Sequence, residues 1–216
     1  MFDWDREFGR RARRVLDIGC GDGRYLLDSA AARPDCDHLG IELLAPLLAK
    51  GRKEASKRGH PNLRFVAGDA VDWLRRRLEA GSVDEVHVYH PQPYHDPAQA
   101  GLGMLTEDFF ERVWRVLAPG GLLVLQTDSR PLGKYLLEAC RSRFEPEVLA
   151  GPWPGAPGGR TTREVLAIRK KLAVTRIAAR RRDRPIEVPF PPDYFAPGRP
   201  GLRTVRSASK RKRLTR

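Results

Sequence analysis

A doubly wound, mostly parallel α/β sheet is the fold class that this sequence predicts, and three observations predict it. Apolar strand-like runs alternate with helix-patterned segments at intervals of about 25 residues. The first run ends in a glycine-rich turn, Gly19-Cys20-Gly21-Asp22-Gly23, that opens a helix. Acidic residues stand at or near the carboxyl ends of the first three runs.

The elements follow in order. Val15, Leu16 and Ile18 mark a short buried strand, and Leu26, Leu27 and Ala30 a helix from Arg24 to Ala32, with Pro34 just beyond it. HLGIEL is the second strand, and a second helix runs from Leu44 to Arg58 and stops at Gly59. LRFVAGDA gives the third strand and AVDWLRRRLEAG the helix behind it; VDEVHVYHP gives a fourth strand halted by Pro91. After a loop, TEDFFERVWRVLAPGG is a helix with Thr106, Glu107 and Asp108 as its start signal. LLVLQTD is the fifth strand and PLGKYLLEACRSRF the next helix. TTREVLAIRKK is expected to be a last edge strand. Trp73 and Trp114 are expected to face the core.

Composition narrows the class. The chain has 216 residues, 41% of them hydrophobic, which suits one domain with a core plus an appendage. No apolar run approaches the roughly 18 residues of a membrane span, and MFDWDREFGRRARR has no apolar stretch typical of a secretory signal. The 3 cysteines, Cys20, Cys36 and Cys140, are odd in number and lack metal-ligand spacing. No metal and a cytoplasmic setting are therefore expected. The formal charge of +13 is unevenly placed: residues 1–168 balance, and residues 169–216 carry 16 basic against 3 acidic side chains. The expected division is a domain over 1–171 and a flexible, Pro/Arg-rich tail over 172–216. Such a tail favours an anionic partner, with Arg180-Arg181-Arg182, Arg184 and Lys210-Arg211-Lys212-Arg213 as candidate phosphate contacts.

A strand, a G-x-G-x-G turn and a helix build a nucleotide site, because glycines admit a ligand close to backbone at a helix N-terminus. Asp17 and Asp22 would repel a pyrophosphate and suit a cation instead. S-adenosyl-L-methionine, with its ammonium and sulfonium charges, fits that requirement better than a nicotinamide dinucleotide. Glu42, in Gly40-Ile41-Glu42, can accept from both ribose hydroxyls, and Asp69, followed by Ala70, can meet an adenine amino group or cap the next helix.

These residues, taken together, resemble the bacterial tRNA (guanine-N7-)-methyltransferase family, from about Val15 to Glu164. The resemblance rests on Asp17-Ile18-Gly19-Cys20-Gly21-Asp22-Gly23, Gly40-Ile41-Glu42, Asp69-Ala70, Leu105-Thr106-Glu107-Asp108-Phe109, Pro119-Gly120-Gly121, Thr127-Asp128 and the closing Thr161 and Glu164. It implies a Rossmann-like class I methyltransferase that uses S-adenosyl-L-methionine to form N7-methylguanine in tRNA. It places donor contacts at Asp17, Gly19, Gly21, Glu42, Asp69, Ala70 and Gln92, a catalytic role at Gln92, and substrate contacts at Asp96, Asp128, Thr161 and Glu164.

The departure lies where the family has Phe-Pro-Asp-Pro-Trp and then a basic loop. This chain reads His90-Pro91-Gln92-Pro93-Tyr94 and continues without the basic residues. Gln92 replaces a catalytic Asp, and Asp96 replaces a substrate-contacting Lys. His90 is expected to line the pocket and Tyr94 to stack on a base. Guanine N7 carries a lone pair and no proton, so transfer requires alignment and a negative field more than a strong base. Asp128 and Glu164 are expected to supply that field. Two alternatives stay open here: a same-fold methyltransferase with another RNA or a small molecule as substrate, and a catalytically silent RNA-binding homologue.

Overall fold

The computed structural model describes residues 1–92 and 103–192. Its strands are β1 (Arg13–Ile18), β2 (Cys36–Glu42), β3 (Leu63–Ala67), β4 (Val83–Tyr89), β5 (Leu117–Thr127), β6 (Phe144–Val148) and β7 (Thr175–Arg181). The helices are α1 (Trp4–Phe8), α2 (Arg24–Ala32), α3 (Ala45–Arg58), α4 (Ala70–Arg76), α5 (Glu107–Val116), α6 (Arg130–Cys140) and α7 (Thr162–Arg169). One sheet of 7 strands has the order β3-β2-β1-β4-β5-β7-β6. The β1–β5 pairings are parallel, whereas β7 runs antiparallel to both β5 and β6.

Parallel strands are covered on both faces, which is why β2 is buried along its whole length. Alternate side chains of one strand serve two cores. Leu123 and Leu125 join a cluster with Phe109, Phe110, Leu132 and Leu136 of α5 and α6. Val124, between them, joins a second cluster with Leu26, Leu27 and Leu48 of α2 and α3. The α5 stripe of Phe109, Phe110, Val113 and Val116 is buried, and the Thr106 side chain caps it by accepting from Phe109 N. Gly40 lets α2 press on the sheet: a Cβ there would lie 2.6 Å from Leu26 Cδ1 and 2.7 Å from Cys20 Sγ. Trp73 and Trp114 pack against the first core, as expected.

Two expectations are overturned. TTREVLAIRKK is a helix: Thr161 accepts from Glu164 N at 3.1 Å, the N-terminal half of a capping box. The boundary at Lys171 also fails, because β7 lies beyond it and is hydrogen-bonded on both sides. Arg180, Arg181 and Arg182 consequently belong to the fold. Arg181 stacks on Trp114 at 4.3 Å, Arg180 donates to Gly120 O, and Arg182 pairs with Glu145. The chain stays attached beyond β7, with Ile186 N bonded to Ser142 O and Phe190 against Phe110 and Tyr135.

A truncation tests this revised boundary. A chain ended after Lys171 loses the strand that joins β5 to β6 and should show no cooperative thermal transition by circular dichroism. A chain ended after Pro192 keeps the 7 strands found among the described residues and should melt within a few degrees of the full chain.

Candidate active site

The strand order reverses between β1 and β4, so crossovers leave in opposite directions and open a crevice at the carboxyl ends. A cavity of about 590 Å³ lies there, within the range of small-molecule sites. Its floor is the turn from β1 into α2. Gly19, Gly21 and Gly23 take φ of 70°, 56° and 74°, a left-handed conformation that side chains resist. Nothing stands within 4 Å of the place a Cβ would occupy on Gly19 or Gly21. The backbone therefore presents a bare surface to the cavity.

Glu42 fixes that turn from behind. Its Oε2 accepts from Gly21 N and its Oε1 from Leu44 N, each at 2.9 Å. A carboxylate has about four lone-pair sites, so each oxygen can take a further donor. Asp17 is 2% exposed, lines the cavity, and its Oδ1 has no partner among the described residues. Burial pushes its carboxyl well above the usual range, and the charge of Glu42 adds to the rise. An acid in that position is short of a cation. Cys20 also borders the cavity, but burial drives its thiol far up and keeps it protonated.

Asp22 ties together the rim. It accepts from Lys50 of α3 and from Thr162 Oγ1 of α7, both at 3.2 Å. The wall beside β4 is built on Tyr25, Tyr89 and His90. Beneath it, His87 is wedged between the Tyr89 hydroxyl at 2.9 Å and Glu85 at 3.1 Å, with Tyr25 stacked on its ring. Burial would raise the Glu85 carboxyl, but hydrogen bonds and charge from His87 and Arg33 more than reverse this and leave it below the usual value. His87 and His90 serve different places, as their strand spacing implies. His90 reaches Asp128 at 3.2 Å.

The expected site residues divide into groups. Asp17, Gly19, Gly21, Asp128 and Thr161 line the cavity. Glu42 stands behind the turn. Asp69 is exposed and caps α4 by accepting from Asp72 N at 2.9 Å, with half-buried Ala70 next to it; neither is in the cavity wall. Gln92 is exposed at the end of the described stretch, outside the cavity wall. Asp96 and Tyr94 lie outside the described residues. Glu164 does not face the cavity. It is fully buried, with Arg176 Nη2 2.7 Å from its Oε1 and Arg160 N donating to its Oε2 at 2.6 Å. Its negative charge is already matched by Arg176, so it supports the Thr161 turn.

Sequence reasoning missed Tyr25, Tyr89, Gln126, Trp153 and Arg160. Arg160 lies 4.6 Å over Trp153 and 5.6 Å over Tyr25, and donates to the Tyr89 hydroxyl. Only the two-residue spacing of His87 and Tyr89 on a strand hinted at a shared face.

A bare glycine turn with an unmatched acid, at the switch point of a parallel sheet, is the build of class I methyltransferases. The solved 16S rRNA methyltransferase KamB shares the fold, with a TM-score of 0.60 at 19% identity, covering 84% of this chain and 94% of that one. The family profile described as "Putative methyltransferase" matches residues 11–165. A tRNA (guanine-N(7)-)-methyltransferase of Alkalilimnicola ehrlichii is 33% identical over 186 residues, 85% of this chain and 78% of the relative. Its counterpart in Halorhodospira halophila is 34% identical over 163 residues, 73% of this chain and 71% of the relative. This chain belongs to the tRNA (guanine-N7-)-methyltransferase family. Among the described residues no helix is long and apolar enough to cross a membrane, and no group of three or more His, Cys, Asp or Glu could hold a metal ion.

Proposed function

We propose that this protein transfers a methyl group from S-adenosylmethionine to guanine N7 in tRNA. The observation that carries the reading is the buried Asp17 carboxyl, whose Oδ1 has no partner among the described residues, beside a bare glycine turn, in a cavity whose other wall holds Asp128 and Thr161. When bound, the donor supplies a methyl group activated by a sulfonium sulfur. Asp17 answers its ammonium group, the Gly19–Gly21 backbone admits it closely, and Glu42 accepts from its ribose hydroxyls while still holding Gly21.

Asp128 then faces the base. The guanine edge carries N1–H and N2–H donors, for which a carboxylate is the complementary acceptor. The same charge offsets the positive charge that appears on the base as N7 is methylated. Gln92, in place of the family's Asp, is uncharged and stands outside the cavity wall, so the negative field falls to Asp128. Residues 193–216, with 8 basic side chains and 1 acidic one, add phosphate contacts. Removing them after Pro192 should weaken tRNA binding and flatten its salt dependence, leaving donor binding unchanged.

Incubating the protein with labelled donor and bulk tRNA, then identifying the modified nucleoside by mass spectrometry, tests the reading. N7-methylguanosine is expected. A different methylated nucleoside, or none, would overturn it.

Asp17 makes a pH prediction. Its folded carboxyl titrates above the unfolded value, so the free protein holds that proton to a higher pH than an ordinary acid. An incoming ammonium favours the carboxylate and displaces the proton. Donor affinity should therefore fall up to about tenfold per pH unit below the raised value. Calorimetry in buffers of different ionisation enthalpy should detect proton release on binding. Asp17→Asn should abolish that release and most of the affinity. Proton release that persists in the variant would assign it to another group.

A further inference from the structure

A chain of hydrogen bonds runs behind the substrate wall, and its direction can be read from the chemistry of one end. Trp153 is 4% exposed, and its indole nitrogen can only donate. It donates to Gln126 Oε1, so the Gln126 carbonyl faces Trp153 and the amide nitrogen faces the other way. That nitrogen lies 2.8 Å from His90 Nε2. An amide NH2 can only donate, so His90 Nε2 must accept, and the ring proton must sit on Nδ1. Nδ1 lies 3.2 Å from Asp128 Oδ1 and donates to it.

We propose that Trp153, Gln126 and His90 form a one-way relay that holds the Nδ1–H tautomer of His90 and thereby positions the Asp128 carboxylate at the substrate end of the cavity. His90 is a positioning residue in this scheme, acting through Asp128. The proposal deepens the methyl-transfer reading and rests on it for its kinetic arm alone.

Four further observations bear on it. Gln126 is fully buried and the His90 side chain is 3% exposed, so water does not compete for the relay. Asp128 Oδ1 takes His90 and also Arg163 Nε at 3.1 Å, while Oδ2 has the longer 3.3 Å contact to the same nitrogen. Oδ2 thus keeps more acceptor capacity for a ligand. The His90 backbone is pinned as well: it has φ of 49°, and its N–H donates to Gln126 O at 2.7 Å. The charged groups around it are Asp128, Arg163 and Glu164, and burial, reinforced by Arg163, outweighs the two acids and lowers its pKa. A second ring proton would also point at the Gln126 NH2, donor against donor.

His90 stands where the family motif has Phe, and a phenyl ring can neither accept from Gln126 nor donate to Asp128.

The test begins on the full chain without substrate. In protein carrying ¹⁵N-labelled histidine rings, long-range ¹H–¹⁵N correlations report which ring nitrogen holds the proton, and loss of one signal set in His90→Asn assigns His90 among the 5 histidines. The expected pattern is a neutral Nδ1–H ring at pH 7. An Nε2–H ring, or an imidazolium at pH 7, would overturn the proposal. Trp153→Phe keeps the aromatic ring beneath Arg160 but frees the Gln126 amide to turn, so it should introduce the Nε2–H form; an unaltered spectrum would count against the relay.

The kinetic arm compares His90→Phe with His90→Asn. The first should lower kcat/KM for tRNA about tenfold with donor affinity within twofold of the parent. The second, whose amide can still donate to Asp128, should recover much of the loss. Full tRNA activity in a folded His90→Phe protein would contradict the positioning role. Should the parent protein methylate no tRNA, the functional reading fails, and the tautomer spectra still decide the relay.

Discussion

Replacing Glu42 with alanine should weaken S-adenosylmethionine binding about a hundredfold. The side chain is 9% exposed and accepts from Gly21 N and Leu44 N, so its removal leaves two backbone donors without their acceptor and frees the glycine turn. It also removes the acceptor proposed for the ribose hydroxyls. Hydrogen bonds to a charged group contribute about 1.5–3 kcal/mol each, and roughly 2.7 kcal/mol corresponds to the expected loss. One effect opposes it: without the Glu42 charge, Asp17 ionises more readily. Burial is the larger cause of the Asp17 shift, so the opposing effect is the smaller one. Calorimetric titration of the folded variant measures the outcome, and a loss of less than about threefold would mean that the turn holds its shape without Glu42.

The second large effect concerns stability. Glu164→Ala removes a fully buried carboxylate and leaves Arg176, 8% exposed, without its counter-charge and Arg160 N without its acceptor. Breaking one side of a buried pair costs about 3–5 kcal/mol. For a chain of this size each kcal/mol moves the melting temperature by about 2–4 °C, so a drop on the order of 10 °C is expected. The pair as a whole is a different matter, since two desolvated charges can be replaced by apolar groups at little net cost. Glu164→Leu combined with Arg176→Met should therefore melt above Glu164→Ala. A Glu164→Ala protein that melts with the parent would show that the pair carries little of the fold.

The parallel half of the molecule was legible because strands covered on both faces concentrate apolar residues, and the helices between them carry ordinary start and stop signals. The glycine turn and Asp17 were legible for a related reason: their chemistry is local, set by φ and by position at a strand end. The carboxyl-terminal half was harder. In β7 the residues Arg176, Arg180 and Arg181 hid the alternation of Ile177 and Ala179, and the charge of that segment was assigned to a tail. In β6 the sequence FEPEV carries a proline and two acids, tolerable because the strand is at the sheet edge. In α7, Thr161, Thr162 and the apolar run Val165–Ile168 looked extended, although Thr161 and Glu164 were spaced as a helix cap. The remaining misses are choices of distant partner. Nothing local to Glu164 announces Arg176, and nothing local to Asp22 announces Thr162, which lies 140 residues away.

The central claim is a cavity shaped and charged for a sulfonium nucleoside, and direct binding tests it before any question of substrate. Equilibrium dialysis of the folded full chain against radiolabelled S-adenosylmethionine should show saturable uptake of one molecule per chain, largely lost in Asp17→Asn. No saturable uptake by folded protein, or equal uptake by the variant, would contradict the account.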